Sequence, residues 1–157
     1  MRRAWIGLAA VFLASWAAAQ SSGDTRRSGY QDMGEALQKM QDDDAANPGM
    51  LFVQMGEGLW ERKAGTADKS CADCHAGDAM KGVAARSPAI PPKMDKPVDL
   101  EGRINLCVSR NQGAEALKPE SQELLALTAF IAAQSRSMPI DPPNDLRMRF
   151  IRATGAK

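Results

Sequence analysis

Residues 71–75 read Cys-Ala-Asp-Cys-His, and this C-x-x-C-H spacing constrains the chain more than any other feature. It is the attachment pattern of a c-type haem. Two thiols must reach two vinyl groups on one edge of a flat macrocycle. The next residue must turn its imidazole to the iron, and one helical turn brings all three side chains to one side. Other readings fit less well. A redox dithiol calls for a β-α-β context that is absent from the pattern. A zinc fragment needs a fourth ligand, and His75 directly beside Cys74 is badly placed to chelate the same ion. The order helix, motif, loop, helix, together with an export segment, favours haem over these and over a structural disulfide.

The export segment is residues 1–19. Arg2 and Arg3 form a basic start, Ile6–Trp16 is apolar, and Ala17-Ala18-Ala19 before Gln20 suits cleavage of a signal peptide. The apolar run is short for a membrane span, so none is expected after cleavage. Cleavage removes two cations and no acidic residue, moving the formal net charge from +1 to −1. No charge excess points to nucleic acid or to anionic lipid. Export to the periplasm also gives meaning to the cysteines, of which there are three. With Cys71 and Cys74 on haem, Cys107 is an unpaired thiol in an oxidising compartment, and something should occupy it.

The rest of the chain predicts an all-α, cytochrome-c-like haem domain with long Gly/Pro-rich loops. Aromatic residues make up only 5% of the chain, and a flat cofactor would supply the missing bulk in its centre. Residues 20–48 read as a leader, polar at first and then a short helix within 32–44. The haem domain is expected over 49–140, and 141–157 as a basic tail, a frayed helix at its end. Met50–Arg62 carries apolar residues at helical spacing, with Gly56 and Gly58 either weakening the helix or admitting a close neighbour. Residues 76–99 are broken by prolines and glycines and read as a long loop around haem. Asp99 should cap a helix to Ser109, with Leu100, Ile104 and Cys107 on its apolar face. Residues 110–120 read as a polar loop. Ser121 should cap a helix over Gln122–Arg136.

The far face of the iron has several candidates. The chain has a single histidine, so a second imidazole is excluded. Met94, in a proline-rich loop, and Met138 offer thioethers, although packing is the usual fate of methionine. Met80 lies too near His75 in sequence to cross easily to the other face. Cys107 has the strongest claim, because an unpaired exported thiol otherwise lacks a purpose. Its thiolate would lower the reduction potential, whereas methionine would raise it. Arg103 and Arg110, near Cys107, could moderate that charge or pair with haem propionates.

Several separated segments are similar to one family. They are SGYQDM, MQDDDAANPGMLFVQMGEGLW, KSCADCHAG, MKGVAARSP, LEGRINLC and SQELLALTAFIAAQSRSMPI. Across about residues 28–141 the chain resembles SoxA, the A subunits of the SoxAX cytochrome complex of periplasmic sulfur oxidation. The resemblance implies one covalent haem c on Cys71 and Cys74, His75 as proximal ligand to the iron, and Cys107 as distal thiolate. It implies a subunit of L-cysteine S-thiosulfotransferase, which joins thiosulfate oxidatively to a cysteine of the carrier SoxYZ. The implied partners are the SoxX cytochrome subunit, SoxYZ and a cytochrome electron acceptor. The match is to the N-terminal haem half of two-haem members. Their second half carries another C-x-x-C-H and a modified cysteine ligand, and no fourth cysteine is present here. The alternative is a stand-alone periplasmic electron-transfer cytochrome from a truncated or split SoxA.

Overall fold

Helix signals and apolar stripes in the sequence become five α-helices in the computed structural model, which describes residues 28–155. The expected signal peptide and the first part of the leader lie outside the described residues. The helices are α1 (Glu35–Asp42), α2 (Met50–Glu61), α3 (Leu100–Cys107), α4 (Gln122–Ala133) and α5 (Leu146–Gly155). Among the described residues there is no β-strand beyond isolated bridges, and no helix is long and apolar enough to cross a membrane. The expected all-α class is what the backbone adopts.

Both expected caps form. The Asp99 carboxylate accepts from the Gly102 N–H at 2.8 Å and opens α3. Ser121 Oγ accepts from the Leu124 N–H at 3.3 Å and opens α4. Each satisfies a backbone donor that the first turn leaves orphaned. The α2 and α4 helices form the most extensive pair. Gly56 is the reason they approach so closely, since a Cβ there would lie 2.6 Å from Phe130 Cβ and collide with the Ala126 carbonyl. Gly58 has no neighbour of that kind and faces open space. The core is Trp60 from α2, Ile104 and Val108 from α3 and its continuation, and Leu124, Leu127 and Ile131 from α4.

The proline-rich stretch 76–99 is a loop, as expected, but a pinned one. It holds two 3-10 turns, Gly77–Met80 and Ala84–Arg86. Its far end is closed by reciprocal Ala89–Val98 backbone bonds of 3.1 and 2.9 Å.

Three expectations need correction. The polar loop does not begin at Arg110, after a helix to Ser109: α3 proper ends at Cys107, and Val108–Gln112 continues it as a π-helical turn, ended by Gly113 at φ 66. Next, α4 stops at Ala133 rather than Arg136. The N–H groups of Gln134, Ser135 and Arg136 bond three residues back, which tightens the end, and Ser137 turns left-handed at φ 62. The Arg136 guanidinium then grips Asp44 at 3.0 and 2.6 Å, tying the segment before α2 to the end of α4. Finally, α5 is anchored rather than frayed. Asp145 Oδ1 accepts from the N–H groups of Arg147 and Met148 at 2.9 and 3.2 Å, and Met148 is 2% exposed.

Candidate haem site

Cys71, Cys74 and His75 sit on one short turn. The His75 and Cys74 N–H groups donate to the Cys71 carbonyl at 3.0 and 3.2 Å. A reciprocal pair of bonds locks the entry. Asp73 N–H donates to Ser70 Oγ at 3.1 Å, and Ser70 N–H donates to Asp73 Oδ2 at 2.8 Å. This is a capping box, S-x-x-D, overlaid on the haem motif. Ser70 is buried, and its S-x-x-D pattern overlaps C-x-x-C-H in the same stretch of sequence. The Ala72 N–H donates to the Trp60 carbonyl at 3.2 Å, fixing the turn to the end of α2.

The hydrogen bonds from Ser70 hold the Asp73 carboxyl below the usual carboxylate range. A depressed folded value means that its stabilising effect is complete above an unfolded pKa of about 3.9 and is lost as pH falls through the folded value. The haem-bearing protein should therefore lose more stability between about pH 4 and the acid limit than Asp73→Asn does. Urea unfolding at stepped pH checks this, and parallel curves would count against the box.

Opposite the turn stands Cys107, the last residue of α3. Its Sγ lies 4.0 Å from His75 Nε2. That is too long for a hydrogen bond of any strength. It is close to the sum of a metal–imidazole and a metal–thiolate bond, about 4.3 Å with the lengths found in zinc sites. The imidazole is steadied by Trp60, whose ring centroid is 5.9 Å away, and Trp60 leans in turn on Phe130 at 5.6 Å. Cys71, Cys74, His75 and Cys107 all line one cleft of about 810 Å³, counting space open to solvent. Its apolar walls include Trp60, Val83, Leu100, Ile104, Leu127 and Ile131.

Met80 and Arg103 also line the cleft, whereas Met94, Met138 and Arg110 are not among its lining residues. No cluster of three or more His, Cys, Asp or Glu placed to chelate a metal ion directly occurs among the described residues. Two amides were missed by sequence reasoning. Asn111 Nδ2 lies 3.5 Å from Cys107 Sγ, and Gln112 Nε2 lies 3.8 Å from Cys71 Sγ. Burial pushes the Cys71 thiol up, the nearby Cys107 sulfur adds to this, and the Gln112 amide works against both. The donor set fits a haem c: two thiols on one turn, an imidazole and a sulfur facing each other, and apolar walls.

Residues 55–140 match the family model of the SoxA/TsdA cytochrome c domain. Among curated proteins, the chain is 40% identical over 100 residues to the L-cysteine S-thiosulfotransferase subunit SoxA of Pseudaminobacter salicylatoxidans, covering 62% of this chain and 35% of that one. It is 35% identical over 119 residues to the same subunit of Rhodovulum sulfidophilum, covering 74% of this chain and 42% of that one. Among solved structures, SoxXA from P. pantotrophus superposes with a TM-score of 0.77 at 28% identity, covering 82% of this chain and 49% of that chain. The chain thus spans less than half the length of these relatives.

Proposed function

The chain belongs to the SoxA/TsdA cytochrome c domain family, and on that premise we propose that it is a periplasmic haem c subunit of a SoxAX-type complex. Cys71 and Cys74 form the thioether bonds to one haem, His75 is the proximal ligand and Cys107 the distal thiolate. The observation that carries this reading is the 4.0 Å separation of His75 Nε2 and Cys107 Sγ across the cleft.

Haem, when bound, supplies a one-electron iron couple. The protein does the rest. The Ser70–Asp73 box presents the two thiols and the imidazole together. Trp60 orients the ring. The Cys107 thiolate donates charge and holds the potential low. With His75 and Cys107 both holding the iron, the site would leave no open position for oxygen or peroxide. Arg103, at the cleft, offers a cation to the propionates.

The wider role is a part in oxidative conjugation of thiosulfate. An S–S bond forms between the terminal sulfur and the thiol of the SoxYZ carrier cysteine, the thiol proton is released, and two electrons leave to a cytochrome acceptor. SoxX is the proposed partner subunit. A second reading is stand-alone electron transfer through the one cleft that Cys71, Cys74 and Cys107 line together.

The electron paramagnetic resonance spectrum of the ferric protein, matured in a host that attaches haem c, tests the ligands. A low-spin signal with the narrow g-spread of thiolate ligation is expected. A broad histidine–methionine signal would overturn the assignment. Co-purification of tagged protein with SoxX separates the two roles: a stable stoichiometric pair is expected for the subunit, and a monomer for the lone carrier.

A further inference from the structure

The π-helical turn Val108–Gln112 directly follows the candidate ligand Cys107. Such turns are rare and are found often at functional sites. This one has a definite geometric effect. In a continuing α-helix, a residue five positions after Cys107 would be rotated about 140° away from it. Widening the turn to an i→i+5 repeat brings that residue back to the same face. Gln112 consequently turns back toward the cleft, where its amide reaches Cys71 Sγ at 3.8 Å, while Asn111, four residues after Cys107 and on its face in either kind of helix, brings its amide to Cys107 Sγ at 3.5 Å.

The turn is held from outside. The Ala67 N–H donates to the Gln112 carbonyl at 3.0 Å, and the Thr66 N–H to the Gly113 carbonyl at 3.3 Å. Gly65, at φ 69, packs so tightly on the Gln112 carbonyl that a Cβ would collide with it. Residues 65–67 belong to the link that leads into C-x-x-C-H. The backbone that presents the proximal side therefore also fixes the amides on the distal side. Gln112 is 6% exposed and serves as the fixed post, while Asn111 is on the surface of the turn.

We propose that Asn111 is a positioning residue for the redox centre: its side-chain N–H donates to the Cys107 thiolate, restrains the sulfur's charge donation, and sets the reduction potential. This rests on the histidine–cysteine ligation proposed above. A donor on the thiolate favours the more negatively charged, reduced form of the site. Hydrogen bonds to charged groups are the stronger kind, and a part of that strength differs between the two oxidation states.

The test is a redox titration of the haem-bearing protein with Asn111→Leu and Asn111→Gln, each alongside its ferric paramagnetic resonance spectrum. Asn111→Leu keeps the branched shape, at a larger volume, and removes the donor. It should shift the ferric/ferrous equilibrium about tenfold toward ferric, or about 59 mV downward for one electron. Its spectrum should remain low-spin thiolate with altered g-values. Asn111→Gln retains an amide and should lie nearer the parent. A merely structural asparagine would alter stability without moving the potential. If the parent shows the thiolate signal and Asn111→Leu titrates within twofold of it, this proposal falls alone. If the parent lacks the thiolate signal, the ligand assignment falls and this proposal with it.

Discussion

Cys107→Ala should leave haem covalently attached yet convert the ferric iron from low-spin to high-spin. The two outcomes separate because the donors come from two independent pieces of backbone. Cys71, Cys74 and His75 share one turn closed by Ser70 and Asp73, and that turn takes nothing from Cys107. Attachment and proximal ligation should survive. The distal sulfur comes from the end of α3, and the methionines at 94 and 138 do not line the cleft. Met80 does line it, but it follows His75 closely on the same segment and packs against the core cluster. Without Cys107 the far side of the iron has no protein donor of comparable strength. The structural cost is small, about 1 kcal/mol for removing one partly buried small group. Cys107→Met is the companion variant. A thioether in place of a thiolate should raise the potential by on the order of a few hundred mV, within the roughly 0.8 V that axial ligands span. Optical spectra in the ferric state, a haem stain on a denaturing gel and a potentiometric titration read the three effects. An unchanged low-spin spectrum in Cys107→Ala would sink the assignment.

The parts of this site that were legible in the sequence are those written in short range. C-x-x-C-H is contiguous, and the caps at Asp99 and Ser121 each act on a backbone N–H three residues on. The helical spacing of Leu100, Ile104 and Cys107 was enough to place Cys107 on an inward face. Illegible parts have long-range or degenerate causes. No composition marks a π-turn, because its residues are those of any polar loop, and its register is imposed by the contacts of Gly65 and Ala67 from a distant segment. The early end of α4 is a local tightening at 134–136 with a left-handed Ser137, and beyond it Arg136 meets Asp44 across 92 positions, none of which a helical pattern announces. Burial of Met148 likewise comes from tertiary contact, since the tail around it is basic and polar. The Ser70–Asp73 box is a different case. Its pattern is short-range too, but it shares one stretch of chain with C-x-x-C-H, so a single segment encodes two devices at once.

Gly56 and Gly58 make the last of these distinctions measurable, because sequence treats them alike and the fold does not. Alanine in an exposed helix interior is worth roughly 1 kcal/mol over glycine. At Gly58 nothing lies within 4 Å of a new Cβ, so Gly58→Ala should stabilise the haem-bearing protein by up to about that amount. At Gly56 the same methyl would press on the Ala126 carbonyl and lie 2.6 Å from Phe130 Cβ. Backbone cannot rotate aside as a side chain can, so α2 must lift from α4. Overpacking of that kind costs typically about 1–3 kcal/mol, more than the propensity gain returns. The sign therefore reverses between glycines that share one helix. The displacement also travels to the site. Trp60 lies one turn beyond Gly56, touches the His75 ring at a centroid distance of 5.9 Å, and carries on its carbonyl the N–H of Ala72 within the haem motif. Gly56→Ala should thus lower the melting temperature by several degrees and perturb the ferric low-spin spectrum, while Gly58→Ala raises the first and leaves the second unchanged. Thermal melts followed at the haem band and in the far ultraviolet compare them directly. Stabilisation by both substitutions would mean that α2 and α4 are not in close contact at Gly56, and the support of the imidazole by Trp60 would have to be redrawn.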